Sequence, residues 1–238
     1  MSQKTVSATW LGHSSFLFTS PEGVRVVVDP FLANNPACPE AFKSLDRADL
    51  VLVTHGHYDH VAEAERLAKM GGALVIGIFE VCQWLAQRGV ERTSGMNKGG
   101  SQVARGIRVT MTQALHSSGF VNEDGSITYL GEAAGFVVEF ENGYRLYHAG
   151  DTGVFGDMAL IGELYAPQTA FLPIGDHFTM GPREAAKACE LLKAPQVVPM
   201  HFGTFPVLTG TVAALRALVE PKGVRVLELT PGETVQLG

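Results

Sequence analysis

Short β-branched and aromatic runs dominate the first third of the chain. Residues 5–10, 15–19 and 24–28 are broken at Gly12 and at Pro21-Glu22-Gly23, which predicts a β-meander. A Pro- and Asn-rich loop over 30–39 leads to Asp49-Leu50-Val51-Leu52-Val53, the nearly continuous apolar run of a strand covered on both faces. The pattern then alternates. A helix is predicted over 61–70, a strand over 73–76 and a helix over 79–88 that ends at Gly89, with further strands at 107–112, 134–139, 145–148, 170–172 and 197–199. The clearest helix is 182–192. There Ala185, Ala188, Cys189 and Leu192 share one face, Arg183, Glu184, Lys187 and Glu190 point away from it, and Pro182 suits the first helical position. Meander strands mixed with amphipathic helices predict an α/β sandwich with sheets inside and helices outside.

Composition narrows the class. The chain has 238 residues and 46% hydrophobic content, enough for a substantial core, and its 27 glycines are spread without a low-complexity block or linker, so 1–238 reads as one domain. Cys38, Cys82 and Cys189 are odd in number and form no Cys-x-x-Cys pair, which argues for free thiols rather than a disulfide framework. The N-terminus shows no signal-peptide pattern and the longest nearly apolar stretch, 71–79, is far short of a membrane span; a cytoplasmic protein with no membrane partner is expected. A formal charge of −6 gives no global attraction for nucleic acid, and none is expected as a partner.

The chemistry concentrates directly after the buried strand, where His55, His57, Asp59 and His60 place potential metal ligands within Thr54-His55-Gly56-His57-Tyr58-Asp59-His60. In an extended loop, residues two apart point the same way, so His55 and His57 can share an ion. Asp59 and His60 fall at the start of the next helix and serve another direction. Two adjacent metals sharing one loop is the economical geometry; the bland alternative is a histidine-rich surface loop with a capping aspartate.

This segment resembles the His-x-His-x-Asp-His signature of the metallo-β-lactamase superfamily. Trp10-Leu11-Gly12-His13-Ser14-Ser15, Asp29-Pro30-Phe31, His116-Ser117-Ser118, His148-Ala149-Gly150-Asp151-Thr152-Gly153, Phe178-Thr179-Met180-Gly181-Pro182 and Pro199-Met200-His201 also occur in matching order, and together they resemble the metal-dependent hydrolase branch related to ascorbate-6-phosphate lactonases. The resemblance covers essentially the whole chain. It implies an αββα sandwich of two mixed β-sheets flanked by helices, a homo-oligomer, and a metal site completed by His116 with His55 and His57, by His201 with Asp59 and His60, and by Asp151 as the bridge. Each of these later residues follows a predicted strand.

Two divalent ions, zinc first with manganese, iron or nickel as alternatives, would carry more positive charge than Asp59, Asp151 and a bridging hydroxide return, which favours an anionic substrate. The expected chemistry is hydrolysis of a small ester, lactone or phosphorylated metabolite by that hydroxide, with Asp59 orienting the nucleophile and handling protons. His177 is a candidate to protonate a leaving group or hold an anion, against a packing role. His148 reads as either a donor to the site or a buried structural histidine. Asp29 reads as either an orienting partner of a metal-bound histidine or an ordinary Asp-Pro turn. His13 could contact the site, and Lys98 could meet an anion or simply face solvent. Alternatives of other classes are a phosphodiesterase or nuclease, iron-dependent oxygen chemistry, and a non-catalytic metal-binding protein.

Overall fold

The computed structural model describes residues 5–238. In chain order the first seven elements of one layer are β1 (Val6–Trp10), β2 (Phe16–Thr19), β3 (Arg25–Val28), the single turn α1 (Glu40–Lys43), β4 (Leu50–Val53), α2 (Tyr58–Val61) and α3 (Ala64–Gly71). They are followed by β5 (Leu74–Ile78), α4 (Phe79–Gln87) and β6 (Thr93–Met96). The second layer holds β7 (Ser101–Ala104), β8 (Ile107–Gln113), β11 (Ala134–Glu139), β12 (Arg145–His148), α5 (Met158–Tyr165), β13 (Thr169–Pro173), α6 (Pro182–Leu192), β14 (Gln196–Met200), α7 (Val212–Val219) and β15 (Arg225–Val226). Between β8 and β11 a small hairpin, β9 (Gly119–Val121) with β10 (Ile127–Tyr129), stands apart from both sheets. The last strand, β16 (Thr234–Leu237), returns to pair with β1.

Two seven-stranded mixed sheets result, ordered β16-β1-β2-β3-β4-β5-β6 and β15-β14-β13-β12-β11-β8-β7. The period-two alternation of a strand explains how each residue is used. In β13, Phe171 joins the core between the sheets while Ala170 and Leu172 pack in the cluster that also holds Ala185, Cys189 and Leu192 of α6 and Leu215 of α7. In β14, Val198 points in and Val197 out, and in β11 Phe136 and Val138 point in and Val137 out. Phe16 and Phe18 of the first sheet meet Phe171 of the second edge to face, at ring separations of 4.8 Å and 5.2 Å. Helices α3 and α4 pack on the first sheet and α5, α6 and α7 on the second, so the layers run helix, sheet, sheet, helix, as the sequence implied.

One predicted element is divided. The helix expected over 61–70 begins earlier, at Tyr58, and is interrupted between α2 and α3. At Glu63 the backbone N–H leaves the helical ladder to donate to the Pro30 carbonyl (3.0 Å), and the buried carboxylate accepts the N–H groups of Leu32 (2.6 Å) and Ala33 (3.2 Å), which ties the turn to the loop after β3. The three cysteines are free and buried, as expected. Among the described residues no helix is long and apolar enough to cross a membrane.

Candidate metal centre

The parallel strands β3, β4 and β5 of one sheet and β12, β13 and β14 of the other direct their C-terminal ends toward the same edge of the sandwich, the usual place for a site in such sheets. The loop after β4 supplies His55 and His57, the turn α2 that follows it supplies Asp59 and His60, the loop after β12 supplies Asp151, and the residue after β14 is His201. His116 follows β8, and His13 sits in the turn between β1 and β2.

All seven ligands implied by the resemblance converge. Single ligand atoms of His55, His57 and His116 lie within 4.8 Å of one another, as do those of His55, His60 and Asp151, and those of Asp59, His60, His201 and His13. Asp151 Oδ2 is 3.0 Å from His201 Nε2, 3.3 Å from His60 Nε2 and 3.7 Å from His116 Nε2, so one carboxylate oxygen reaches histidines of both sets.

The neighbouring residues fix which nitrogen each ring presents. Thr54 donates its N–H to Asp29 Oδ1 (2.8 Å) and its hydroxyl to Asp29 Oδ2 (2.7 Å). With that hydroxyl proton committed, His55 Nδ1, 3.0 Å from Thr54 Oγ1, is the donor of its pair and its Nε2 is left with a lone pair facing the cluster. Asp29 Oδ2 also accepts from His60 Nδ1 at 2.9 Å, turning His60 Nε2 the same way. His57 differs: its Nδ1 lies 3.0 Å from His55 Nε2, and its Nε2 points outward, 3.4 Å from Ser117 Oγ. Asp29 is therefore the orienting partner of His60, one of the histidines that could hold a metal.

Close backbone approach makes this arrangement possible. Gly56 donates its N–H to Ser118 Oγ (3.0 Å), and a Cβ there would meet Leu130 Cδ1 at 2.5 Å, so the loop of His55 and His57 lies flush against the segment that carries His116. Gly150, at φ +60°, leaves room for Thr54, whose Cβ would lie 2.8 Å from an added methyl. His13, Asp29 and His201 hold left-handed φ values of 57°, 48° and 55°, a cost accepted at each of three positions in the centre.

The electrostatics match a cation site. Burial works against charge on His60, but Asp151, Asp29 and Asp59 outweigh it and hold the imidazole pKa well above its usual value. Burial also opposes ionisation of Asp151 and Asp59, yet the surrounding histidines hold both carboxyls below the usual range. His55, His57 and His116 are kept neutral by burial, the form in which imidazole binds a metal. His60 Nε2, His201 Nδ1 and Asp151 Oδ1 are buried without a hydrogen-bond partner. The orphaned His60 Nε2, beside neutral imidazoles and the Asp59 and Asp151 carboxylates, gives a donor set that fits a borderline-soft divalent ion.

A cleft of about 310 Å³ opens onto the cluster, lined by His57, Asp59, His116, Ser117, Asp151, Phe178 and His201. His177 is not on its wall: the exposed loop turns Phe178 toward the cleft, and the His177 ring packs edge-on against Phe178 at 4.4 Å. His148 is structural. Its Nε2–H donates to the Ser14 carbonyl (3.1 Å) and its Nδ1 accepts the Gly150 N–H (3.2 Å), with burial holding it neutral, so it staples the β1–β2 turn to the turn bearing Asp151. Lys98 pairs with Glu132 at 2.7 Å in a shallow recess on the far side of His116. Two contributors have little signal in the sequence: Phe178 stands there only as part of a motif, and Thr204, which holds His13 Nδ1 at 3.0 Å, is marked only by lying close after His201.

The family described as the Beta-lactamase superfamily domain matches residues 24–202. The chain is 48% identical over 234 residues to a UPF0173 metal-dependent hydrolase of Koribacter versatilis, covering 98% of this chain and 99% of that protein. It is 51% identical over 228 residues to one from Solibacter usitatus, covering 96% and 98%. Among solved structures it is similar to a metallo hydrolase of the hyperthermophilic archaeon Ignicoccus hospitalis, with 37% identity, a TM-score of 0.87, and 98% of this chain and 99% of that chain covered. With the αββα sandwich, the converging histidines and these relatives in agreement, the chain belongs to the β-lactamase superfamily and is a metal-dependent hydrolase of the metallo-β-lactamase fold.

Proposed function

We propose that this protein hydrolyses a small anionic ester, lactone or phosphorylated metabolite at a binuclear metal centre. The observation that carries the reading is the position of Asp151 Oδ2, within 3.7 Å of His116 on one side and 3.0 Å of His201 on the other, so that this carboxylate would be shared by both histidine sets. His55, His57 and His116 would hold one ion, and Asp59, His60 and His201 the other, with Asp151 between them. Bound there, divalent ions supply Lewis-acid polarisation of the electrophile and a hydroxide nucleophile at neutral pH.

The chain's own residues do the rest. Asp59 is the ligand set's partly exposed carboxylate, its side chain 29% accessible and on the cleft wall, so it can orient the attacking water and accept its proton. Phe178, itself 56% exposed, adds an aromatic face to the cleft wall on which the apolar part of a substrate can rest. Two divalent cations against the carboxylates of Asp59 and Asp151 leave the site positive, which attracts an anion into it. The cleft volume suits a metabolite rather than a polymer.

The test pairs wild-type protein with Asp59→Asn, both metal-loaded, against phosphate esters, lactones and a neutral carboxyl ester. The expected result is turnover of an anionic substrate that Asp59→Asn lowers by about 10²-fold or more. Equal rates for the two proteins would remove Asp59 from the chemistry, and turnover confined to the neutral ester would overturn the anionic preference.

A further inference from the structure

The turn between β1 and β2 contributes a histidine that the seven-ligand set leaves out. His13 is wholly buried, and its Nε2 lies 3.0 Å from Asp59 Oδ2 and inside the same cluster as the ligand atoms of His60 and His201. The His13 ring also lies close against that of His201, with centroids 3.9 Å apart and the planes tilted by 40°. We infer that His13 is an additional protein ligand of the ion held by Asp59, His60 and His201.

Three features carry this. First, His13 is built like the ligands His55 and His60. In each, Nδ1 is held by a fixed side-chain oxygen, Thr204 Oγ1 for His13 (3.0 Å), Thr54 Oγ1 for His55 (3.0 Å) and Asp29 Oδ2 for His60 (2.9 Å), and Nε2 is aimed into the cluster. An Nδ1 anchor that fixes tautomer and ring direction is what metal-binding histidines ordinarily have.

Second, the same oxygen of Asp59 faces both His13 and His60: Oδ2 lies 3.0 Å from His13 Nε2 and 3.9 Å from His60 Nε2. If His13 merely steadied the carboxylate, the two oxygens would be expected to divide the work, one toward the ion and one toward the partner. Instead His13 Nε2 and Asp59 Oδ2 approach as His55 Nε2 and His57 Nδ1 do, also at 3.0 Å, and those two belong to one ligand set.

Third, the span is right. The ligand atoms of His13, Asp59, His60 and His201 all lie within 4.8 Å of one another. Two nitrogen or oxygen ligands on opposite sides of one ion, each at about 2.0–2.2 Å, are about 4.0–4.4 Å apart, so small adjustments close the shell. The backbone is committed to this placement as well. His13 holds φ at 57°, and its carbonyl accepts the N–H of His201 (3.1 Å) and the Trp10 Nε1–H (2.9 Å), clasping the two histidines together.

The inference rests on the two-metal reading above, and its test separates the two. Wild-type protein loaded with Co²⁺ is crystallised and the ions are located by anomalous scattering. Two ions with His13 Nε2 at about 2.0–2.2 Å from one of them is the expected result. Two ions with His13 Nε2 beyond about 3 Å would overturn the inference alone, whereas a single ion would defeat the two-metal reading. In solution, proton NMR of the same Co²⁺ protein should show a strongly shifted, solvent-exchangeable Nδ1–H signal for each histidine bound through Nε2. His13→Gln should lose one of these, and Thr204→Val should hasten exchange of that signal alone. An unchanged set in His13→Gln would reduce His13 to a hydrogen-bond partner of Asp59.

Discussion

Asp29 Oδ2 accepts the Nδ1–H of His60 at 2.9 Å, with both side chains wholly buried, while the same carboxylate takes the N–H and hydroxyl of Thr54. One aspartate thus aims His60 directly and, through Thr54, aims His55. Asp29→Asn keeps the volume and removes the charge that holds the His60 proton in place. Metal affinity measured by chelator competition should fall about 10–100-fold, the usual consequence of losing a ligand's orienting partner. Unchanged affinity would mean that His60 is aimed by other contacts.

The protonation of the centre gives metal-free and metal-loaded protein opposite responses to pH. In the metal-free protein the raised pKa of His60 contributes stability that is complete below its unfolded value of about 6.5 and is lost as pH rises toward the folded value. The depressed values of Asp59 and Asp151 contribute stability present above about 3.9 and lost as pH falls through their folded values. A metal ion must displace the His60 proton, so loaded protein should gain stability with rising pH over the range where metal-free protein loses it. Melting temperatures recorded from pH 6.5 to 8.5 in both forms should therefore diverge. Parallel curves would contradict a charged His60.

Gly56→Ala places a methyl group 2.5 Å from Leu130 Cδ1 and 2.6 Å from Leu130 Cβ. Overpacking of this kind costs about 1–3 kcal/mol and here moves the loop bearing His55 and His57. Both a lower melting temperature and weaker metal retention are expected. Reduced stability with normal metal retention would uncouple the loop from its neighbour.

His177 stands outside the cleft, so His177→Ala should leave hydrolysis close to the wild-type rate, whereas Phe178→Ala should raise KM. A loss of about 10²-fold or more in kcat for His177→Ala would restore it to the leaving-group role expected from its sequence context.

Lys98 lies across His116 from the cleft and is paired with the exposed Glu132. If an anionic substrate extends that way, Lys98→Ala should raise KM severalfold for phosphorylated substrates and leave a neutral ester unaffected. Equal effects on both would confine Lys98 to its ion pair.

Much of the architecture was legible because period-two alternation and continuous apolar runs report directly on burial, as in β4 and β13, and 3.6-residue periodicity reports on α6. Strands β6 and β7 leave no clear pattern, since Thr93-Ser94-Gly95-Met96 and Ser101-Gln102-Val103-Ala104 are short, polar and largely uncovered. The pairing of β1 with β16 depends on contacts between the two chain ends, which no local pattern encodes. Helix α7 passed unmarked although its Thr211 side chain accepts the Ala214 N–H at its start. At the centre, spacing and resemblance point to the seven candidate ligands that the fold brings together. The left-handed backbone at His13 and His201, the Thr204 anchor and the turning of Phe178 rather than His177 into the cleft belong to three-dimensional placement and left little trace in residue order.

The most direct measurement adds Zn²⁺ stepwise to metal-free protein, following bound metal by elemental analysis and hydrolysis of an anionic substrate on the same samples. Binding should saturate at two equivalents per chain, with activity rising as the second is taken up. Saturation at one equivalent with full activity would contradict a centre bridged by Asp151.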